Sequence, residues 1–325
     1  MISASGVLPS EDRAAGATIQ GIAPPDPATA VKAFISVSPF SYACLDEEVA
    51  PASAEHTLAM LRDRVGADFT LSNSGRHALD LILADLGLAG SDVVTIITSS
   101  GGNYVSGCVT RTIERYCRWS MRVEERTRAV LAIHEFGRPC EQVRDYLGRV
   151  PLIEDCAYAF ATRYASGEAV GGRGDYALFS LPKMFSTHFG GVARGPAGRA
   201  LGFSMPEHEK RFLLARISPE LRALDRVVER RREVWEDLRA RFAALGVRPF
   251  FEPVEGETPS VFMFAHDPQL ISFPELRERY EAHGVEASAF WGSDAFFIPA
   301  HQRLGEGSRA YLADSYARLL AERRR

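Results

Sequence analysis

The feature that most constrains the fold is a series of short apolar runs that alternate with helical patterns between residues 55 and 195. The apolar runs cover residues 93–97, 129–133, 151–154, 175–180 and 190–194, and the helical patterns cover residues 55–65, 78–86, 104–115 and 140–147. Short apolar runs are typical of strands that are buried on both faces. Their alternation with helices indicates βαβ units. We therefore predict an α/β fold with a mainly parallel central sheet and helices on both faces.

The pattern changes after residue 195 and divides the chain. A long, highly charged helical region extends from residue 206 to about 245, and short strands (261–265 and 296–299) then mix with helices (273–283 and 308–323). We predict a large domain over residues 31–205, and a connecting helix with a small C-terminal α/β domain over residues 206–325. Residues 1–30, which are rich in Ala, Pro, Gly and Ser, are expected to form a loosely ordered leader. The arginine-rich stretch 211–241 is expected to form a solvated helix face or part of a subunit interface.

Composition excludes several classes of function. A net charge of -4 argues against nucleic acid or an anionic membrane as a partner. The apolar runs are too short to span a bilayer, and the N-terminal residues lack the pattern of a secretory signal. The five cysteines show no C-x-x-C spacing, which indicates reduced thiols rather than disulfides or a metal site. We predict a cytoplasmic protein without a bound metal.

Lysine is rare in this chain, and one lysine has an unusual setting. Lysine occurs only at Lys32, Lys183 and Lys210, so arginine supplies nearly all the positive charge. Arginine cannot replace lysine where the chemistry needs an amine that loses its proton. Lys183 follows Phe-Ser-Leu-Pro, and burial there would lower its pKa and favour a Schiff base. Lys183 is therefore a candidate catalytic residue, although a lysine that reaches from an apolar surface to solvent would give the same pattern.

Two further segments could meet such a lysine at the carboxyl ends of the strands, where α/β proteins bind ligands. Ser74, Gly75 and Arg76 open a helix, and a helix N-terminus with a glycine and an arginine suits a phosphate, although a simple helix cap would look the same. Asp155 follows an apolar strand, where a carboxylate needs a cation as its partner. A protonated ring nitrogen or a structural arginine would meet that need.

The order and context of these segments resemble the DegT–DnrJ–StrS aminotransferases, a family of pyridoxal-phosphate (PLP) enzymes of fold type I. The stretches that carry the resemblance are residues 74–78 (SGRHA), 103–106 (NYVS), 134–139 (HEFGRP), 153–159 (IEDCAYA), 174–180 (GDYALFS), Lys183, Gly190 and Gly191, and 298–302 (IPAHQ). This family often acts on nucleotide-linked keto sugars. The resemblance implies PLP as the cofactor and a homodimer as the assembly.

The resemblance also implies roles for individual residues. Lys183 would form the Schiff base with PLP and move a proton, and Asp155 would pair with the ring nitrogen. The remaining cofactor contacts would come from Ser74, Gly75, Arg76 and Ser180 at the phosphate, from Tyr104 stacked on the ring, and from Tyr158 near the ring hydroxyl. His134 would be structural, and His188 and His301 are candidates for the substrate side.

The function implied is transfer of an amino group from an amino-acid donor to a small keto compound, either a keto sugar or an intermediate of specialised metabolism. Several family features differ here: the loop between Ser180 and Lys183 is short, Arg76 replaces a small hydroxyl residue, and a Gly-x-Asn-x-Arg loop is not found. Two alternatives therefore stay open, a PLP enzyme of elimination or dehydration and a PLP-fold protein with a regulatory or scaffolding role. A dinucleotide enzyme is disfavoured, because no G-x-G-x-x-G follows the first strand.

Overall fold

The larger part of the molecule is built on a seven-stranded sheet. The computed structural model describes residues 35–47, 53–197 and 199–323. The strands are β1 (Phe69–Ser72), β2 (Val93–Thr98), β3 (Arg118–Ser120), β4 (Thr127–Ile133), β5 (Leu152–Asp155), β6 (Tyr176–Ser180) and β7 (Gly191–Arg194), in the spatial order β1-β7-β6-β5-β4-β2-β3. Strands β3, β2, β4, β5 and β6 pair in parallel, and β7 is antiparallel to both of its neighbours. The predicted mainly parallel sheet is confirmed.

Helices cover both faces of this sheet. Helix α1 (Ala54–Val65) packs with the later helix α4 (Glu207–Arg222) on one face, and α2 (Gly75–Leu86) packs on β6 and β7 with α3 (Gly107–Ile113) beside it on the other. Each face has its own apolar core, which excludes water from both sides of the strands. This double burial explains why the strands appear in the sequence as continuous apolar runs.

Several local predictions were wrong. No strand was predicted between the helical patterns over residues 55–65 and 78–86, but β1 lies there and pairs with β7 at the sheet edge. The helix expected from Tyr104 begins at Gly107, because the Ser106 hydroxyl caps it by accepting a hydrogen bond from the Cys108 N–H. Tyr104 therefore lies in the preceding loop. The helix expected over residues 140–147 is a short 3-10 helix, Glu141–Tyr146, and β3 was not predicted.

A smaller α/β unit follows two connecting helices, α4 and α5 (Leu224–Ala244). The long helical region expected here is divided into α4 and α5 at Ala223, where φ is -105° and ψ is 29°, and Pro219 lies within the last turn of α4. The smaller unit has an antiparallel three-stranded sheet in the order β8-β10-β9 and two further helices: β8 (Val261–Ala265), α6 (Phe273–Ala282), β9 (Ser288–Ala289), β10 (Ala295–Pro299) and α7 (Glu306–Arg323).

The first described residues lie against the smaller unit. Ile35 forms a parallel bridge with Val285 and joins the apolar core of that unit, although the sequence pattern placed residues 31–205 in the large domain. The leader expected at residues 1–30 lies outside the described residues. Among the helices of the described residues, none is both long enough and apolar enough to cross a bilayer.

Candidate active site

A cavity of about 370 Å³ opens at the carboxyl ends of the parallel strands. Every residue that the sequence assigned to the cofactor lines it: Ser74, Gly75, Arg76, Tyr104, Asp155, Tyr158, Ser180 and Lys183. These residues come from separate segments that the order of β6, β5, β4 and β2 brings together. A cavity of this size is within the range of small-molecule and cofactor sites.

One end of the cavity is formed by the N-terminus of α2. The Ser74 hydroxyl caps this helix by accepting a hydrogen bond from the His77 N–H at 3.1 Å. A Cβ added at Gly75 would lie 2.9 Å from the Ser180 Cβ, and one at Gly191 would lie 2.5 Å from the Ser74 carbonyl carbon. Only glycine fits at these two positions, so the helix start can approach β6 and β7 closely. The result is a concave site with free backbone N–H groups, which suits an anion.

Arg76 and Cys108 form a contact at the same end. The Arg76 Nη2 atom lies 2.7 Å from the Cys108 Sγ atom, and both residues line the cavity. Burial raises the pKa of the Cys108 thiol, but hydrogen bonds from Arg76 and Ser106 and the charge of Arg76 outweigh it, so the net shift is downward. Arg76 therefore supplies a positive charge beside the α2 N-terminus, and its contact with a phosphate stays a prediction.

Asp155 lines the cavity at the end of β5. Its Oδ1 atom accepts a hydrogen bond from the Ala157 N–H at 2.9 Å, and the side chain is buried. Burial raises the pKa of Asp155 to about 6, and the Ala157 hydrogen bond only partly opposes that rise. The ionised form of such a buried carboxyl would be stabilised by a cationic group of a ligand in the cavity.

The neighbouring Glu154 is held in a buried polar network with His134 and Tyr164. Glu154 accepts hydrogen bonds from the His134 Nε2 atom, from the Tyr164 hydroxyl and from the N–H groups of residues 171, 173 and 174. The other ring nitrogen of His134 accepts from the Cys140 N–H. His134, Glu154 and Cys156 lie close enough to share a metal, but the hydrogen bonds of His134 and Glu154 already satisfy these groups. The expected structural role of His134 agrees with these contacts.

Lys183 extends into the cavity from the short 3-10 helix Leu181–Lys183 that follows β6. Its Nζ atom lies 4.8 Å from the centre of the Tyr158 ring. Burial lowers the pKa of Lys183, but the Tyr158 hydroxyl and the Glu286 carboxylate outweigh this effect, and the net shift is upward. The lowered pKa that we expected from burial alone is therefore wrong for the protein without ligand. The sequence did not reveal Tyr158 and Glu286 as neighbours of the amine.

Aromatic rings of the cavity lining contact the smaller unit. The Tyr104 ring packs against Phe290 and Phe136, with ring centres 4.9 Å and 6.1 Å apart. Phe136 has a φ of 51°, a value that L-residues seldom adopt, and Glu135 beside it is buried with its Oε1 atom unpartnered. Both residues line the cavity. Both residues belong to the HEFGRP stretch, but neither had a role predicted from the sequence.

The two histidines predicted on the substrate side lie away from these cavity walls. His188 is exposed, and its ring contacts Phe40 and Phe212. His301 is buried beside the described N-terminal residues, where burial together with the charges of Arg231 and Arg303 lowers its pKa to about 3. Neither residue lines the cavity that contains Lys183.

Comparisons with known proteins agree with this architecture. The model of the DegT/DnrJ/EryC1/StrS aminotransferase family matches residues 119–192. None of the curated proteins compared matches the sequence significantly. Among solved structures, the aminotransferase TlmJ from Streptoalloteichus hindustanus is similar with a TM-score of 0.65 and 20% identity, over 84% of this chain and 92% of TlmJ.

Two further solved structures are similar at lower identity. DesI, solved in the presence of its TDP-sugar product, has a TM-score of 0.68 and 16% identity, over 90% of this chain and 94% of DesI. Spr1654 from Streptococcus pneumoniae, in its PLP form, has a TM-score of 0.62 and 14% identity, over 85% of this chain and 93% of Spr1654. The chain therefore has the fold type I architecture of PLP-dependent aminotransferases and carries the sequence pattern of the DegT/DnrJ/EryC1/StrS aminotransferase family over residues 119–192.

Proposed function

We propose that this protein is a PLP-dependent aminotransferase that transfers an amino group from an amino-acid donor to a small keto compound. One observation carries the proposal. The residues that the sequence assigned to a PLP site, in widely separated segments, line a single cavity at the carboxyl ends of the strands. A regulatory or scaffolding protein has no chemical need for a lysine, a buried acid and an anion site in one cavity.

The donor set of the cavity fits PLP. The α2 N-terminus with Arg76 and Ser180 would hold the phosphate, because Gly75 and Gly191 let the helix start lie close to the end of β6. Asp155 would hold the ring nitrogen in its protonated form, which in turn lowers the pKa of the carboxyl. Tyr104 would cover one face of the ring. PLP bound in this way acts as an electron sink for a bond at the substrate carbon.

Lys183 would transfer the proton, and Tyr158 would orient the Lys183 amine. The Lys183 amine is the group in this cavity that can form an imine, and once released it can take a proton at Nζ and give it back. The Tyr158 hydroxyl, which interacts with the amine, can orient it and donate a hydrogen bond. The rings of Tyr104 and Phe136 line the cavity and would limit water around a bound cofactor, which would strengthen the electrostatic contacts inside.

The class of substrate follows from similarity rather than from the cavity. TlmJ is an aminotransferase, and DesI was solved in the presence of its TDP-sugar product. We propose a keto sugar or another keto intermediate as the amino acceptor, an amino acid as the donor, and a homodimer as the working assembly. A cytoplasmic location is part of the same proposal.

An absorption experiment tests the function. Wild type, Lys183→Ala and the control Lys210→Ala are mixed with PLP, and glutamate is then added as a trial donor. Lys210 is a suitable control because its amine pairs with Glu207 on the surface. We expect the visible band of lysine-bound PLP in wild type and Lys210→Ala only, and loss of that band when the donor is added. A band that is absent from wild type would favour a scaffolding role, and a band that forms but is not lost with any amino-acid donor would favour elimination or dehydration chemistry.

A further inference from the structure

A buried arginine of the connecting helix α5 holds the main chain of Lys183. Arg231 has no exposed surface. Its Nη2 atom donates hydrogen bonds to the Lys183 carbonyl oxygen at 2.9 Å and to the Met184 carbonyl oxygen at 3.3 Å. Its Nε atom donates to the Gln302 Oε1 atom at 2.8 Å. The expectation that the arginine-rich stretch 211–241 faces solvent or a subunit interface is therefore wrong for Arg231.

Other side chains hold the same short segment around Lys183. The Ser38 hydroxyl donates to the Pro182 carbonyl oxygen at 2.7 Å. The Gln302 amide donates to the Met184 carbonyl oxygen at 2.9 Å and to Glu220, and Glu220 accepts from the Ser186 N–H at 2.6 Å. These partners lie on the N-terminal segment, on α4, on α5 and just after β10. The position of the lysine therefore depends on contacts from both units of the molecule.

Burial of the Arg231 charge carries a desolvation cost that destabilises the fold. Its hydrogen-bond partners are carbonyl and amide oxygens rather than a carboxylate, and burial lowers its pKa to about 10, an effect that the charge of Glu220 partly opposes. The group stays protonated at neutral pH, and a buried charge on neutral acceptors is less favourable than an apolar side chain of similar volume. A planar guanidinium can bond several oxygens at fixed angles at once, and neither lysine nor an apolar residue can do this.

We infer that Arg231 is a positioning residue that fixes the Lys183 main chain so that the amine is presented to the cavity. The inference rests on the proposed function, because it concerns the lysine that would bind PLP. Displacement of a reacting group by about 1 Å costs up to about a hundredfold in rate. Loss of Arg231 should therefore slow the reaction of Lys183 with PLP in a protein that still folds.

The test measures how fast the visible band of lysine-bound PLP forms, across a range of pH, in wild type, Arg231→Met and Arg231→Lys. Arg232→Met is the matched control, because Arg232 is the next residue of α5 but is exposed. We expect the rate to fall about tenfold to a hundredfold in Arg231→Met with a changed pH midpoint, to recover in part in Arg231→Lys, and to stay unchanged in the control. Circular dichroism and urea unfolding show which variants are folded.

The outcomes separate this inference from the proposed function. If wild type forms no lysine-dependent band, the proposed function fails. If wild type forms the band and a folded Arg231→Met keeps the same rate and pH midpoint, only the positioning role is overturned. Should Arg231→Met fail to fold, Arg231→Lys decides, because a wild-type rate in that variant contradicts a need for the guanidinium geometry.

Discussion

Glu154 and Asp155 are consecutive residues of β5 whose pKa values shift in opposite directions. Adjacent side chains of a strand point to opposite faces of the sheet. Burial alone would raise the pKa of Glu154, but hydrogen bonds from His134, Tyr164 and the Gly174 N–H outweigh it and lower that pKa to about 2. Asp155 has few such donors, and burial raises its pKa to about 6. One carboxyl thus stabilises the fold, and the other is available to a ligand.

The Asp155→Asn variant should be more stable than wild type when both lack cofactor. A carboxyl with a pKa near 6 in the folded protein and about 3.9 in the unfolded chain destabilises the fold progressively as the pH rises from about 4 to about 6. The variant should therefore gain up to about 3 kcal/mol in unfolding free energy at pH 7 and show little difference at pH 4. Urea unfolding at both pH values measures this difference.

The same Asp155→Asn variant should bind PLP more weakly, because an amide cannot neutralise a protonated ring nitrogen.

The control for the stability measurement is Asp63→Asn, at an exposed position of α1. It should change the unfolding free energy by less than about 0.5 kcal/mol. A variant that is less stable than wild type at pH 7 would show that the Asp155 carboxylate has a stabilising partner within the protein.

Glu154→Gln should have the opposite effect on stability. The Gly171 N–H donates to Oε2 of the carboxylate and the Gly174 N–H to Oε1, so in either orientation of the amide its NH2 group would face one of these two N–H groups. We expect a loss of about 3 kcal/mol or more in unfolding free energy at pH 7. Because a lowered pKa stabilises the fold only while the group is ionised, the difference between variant and wild type should narrow as the pH falls from about 4.5 towards 2. A difference that is constant over this range in urea unfolding would contradict the role of the ionised carboxylate.

Tyr158→Phe should lower the pKa of Lys183. The phenol hydroxyl contributes to the upward shift of that pKa, and its removal leaves the opposing effect of burial in place. The reaction of Lys183 with PLP needs the neutral amine, so the rate should reach its plateau at a lower pH in the variant than in wild type. Stopped-flow absorbance across the pH range gives the two midpoints. An unchanged or higher midpoint in Tyr158→Phe would contradict this account of the amine.

Arg76→Met should weaken PLP binding, and inorganic phosphate should compete less well with PLP in this variant. A hydrogen bond to a charged group contributes about 1.5–3 kcal/mol, which corresponds to about a tenfold to hundredfold change in Kd. Arg111→Met is the matched control, because Arg111 bonds the Gly107 carbonyl on the nearby α3 and does not line the cavity. Titration by fluorescence gives the Kd values. Equal losses in the two variants would indicate a general effect of charge rather than a phosphate contact.

Much of the large sheet could be predicted from the sequence, because strands buried on both faces must be apolar throughout. The edge strands β1 and β3 were missed because they lack such a continuous apolar run. They are short, and β3 is mostly exposed, so neither has the apolar run that identifies a central strand. The break between α4 and α5 was missed because the charged pattern continues across Ala223.

The residues of the candidate site could be named from the sequence, but their electrostatics could not. Ser74, Asp155 and Lys183 stand at the ends of predicted elements, and strand order brings such ends together. The pKa of Lys183 depends on Glu286, which is distant in sequence and belongs to the smaller unit. The role of Arg231 was also hidden, because a buried arginine and a solvated one look alike within a charged helix.

The most direct test of the central claim is to trap PLP on the protein by borohydride reduction and to map the modified lysine by mass spectrometry. The chain carries only Lys32, Lys183 and Lys210, so the other two lysines serve as internal controls for non-specific labelling. We expect a saturable modification of one lysine per chain, at Lys183, and we expect free phosphate to slow it. Modification at Lys32 or Lys210 alone, or no saturable modification, would contradict it.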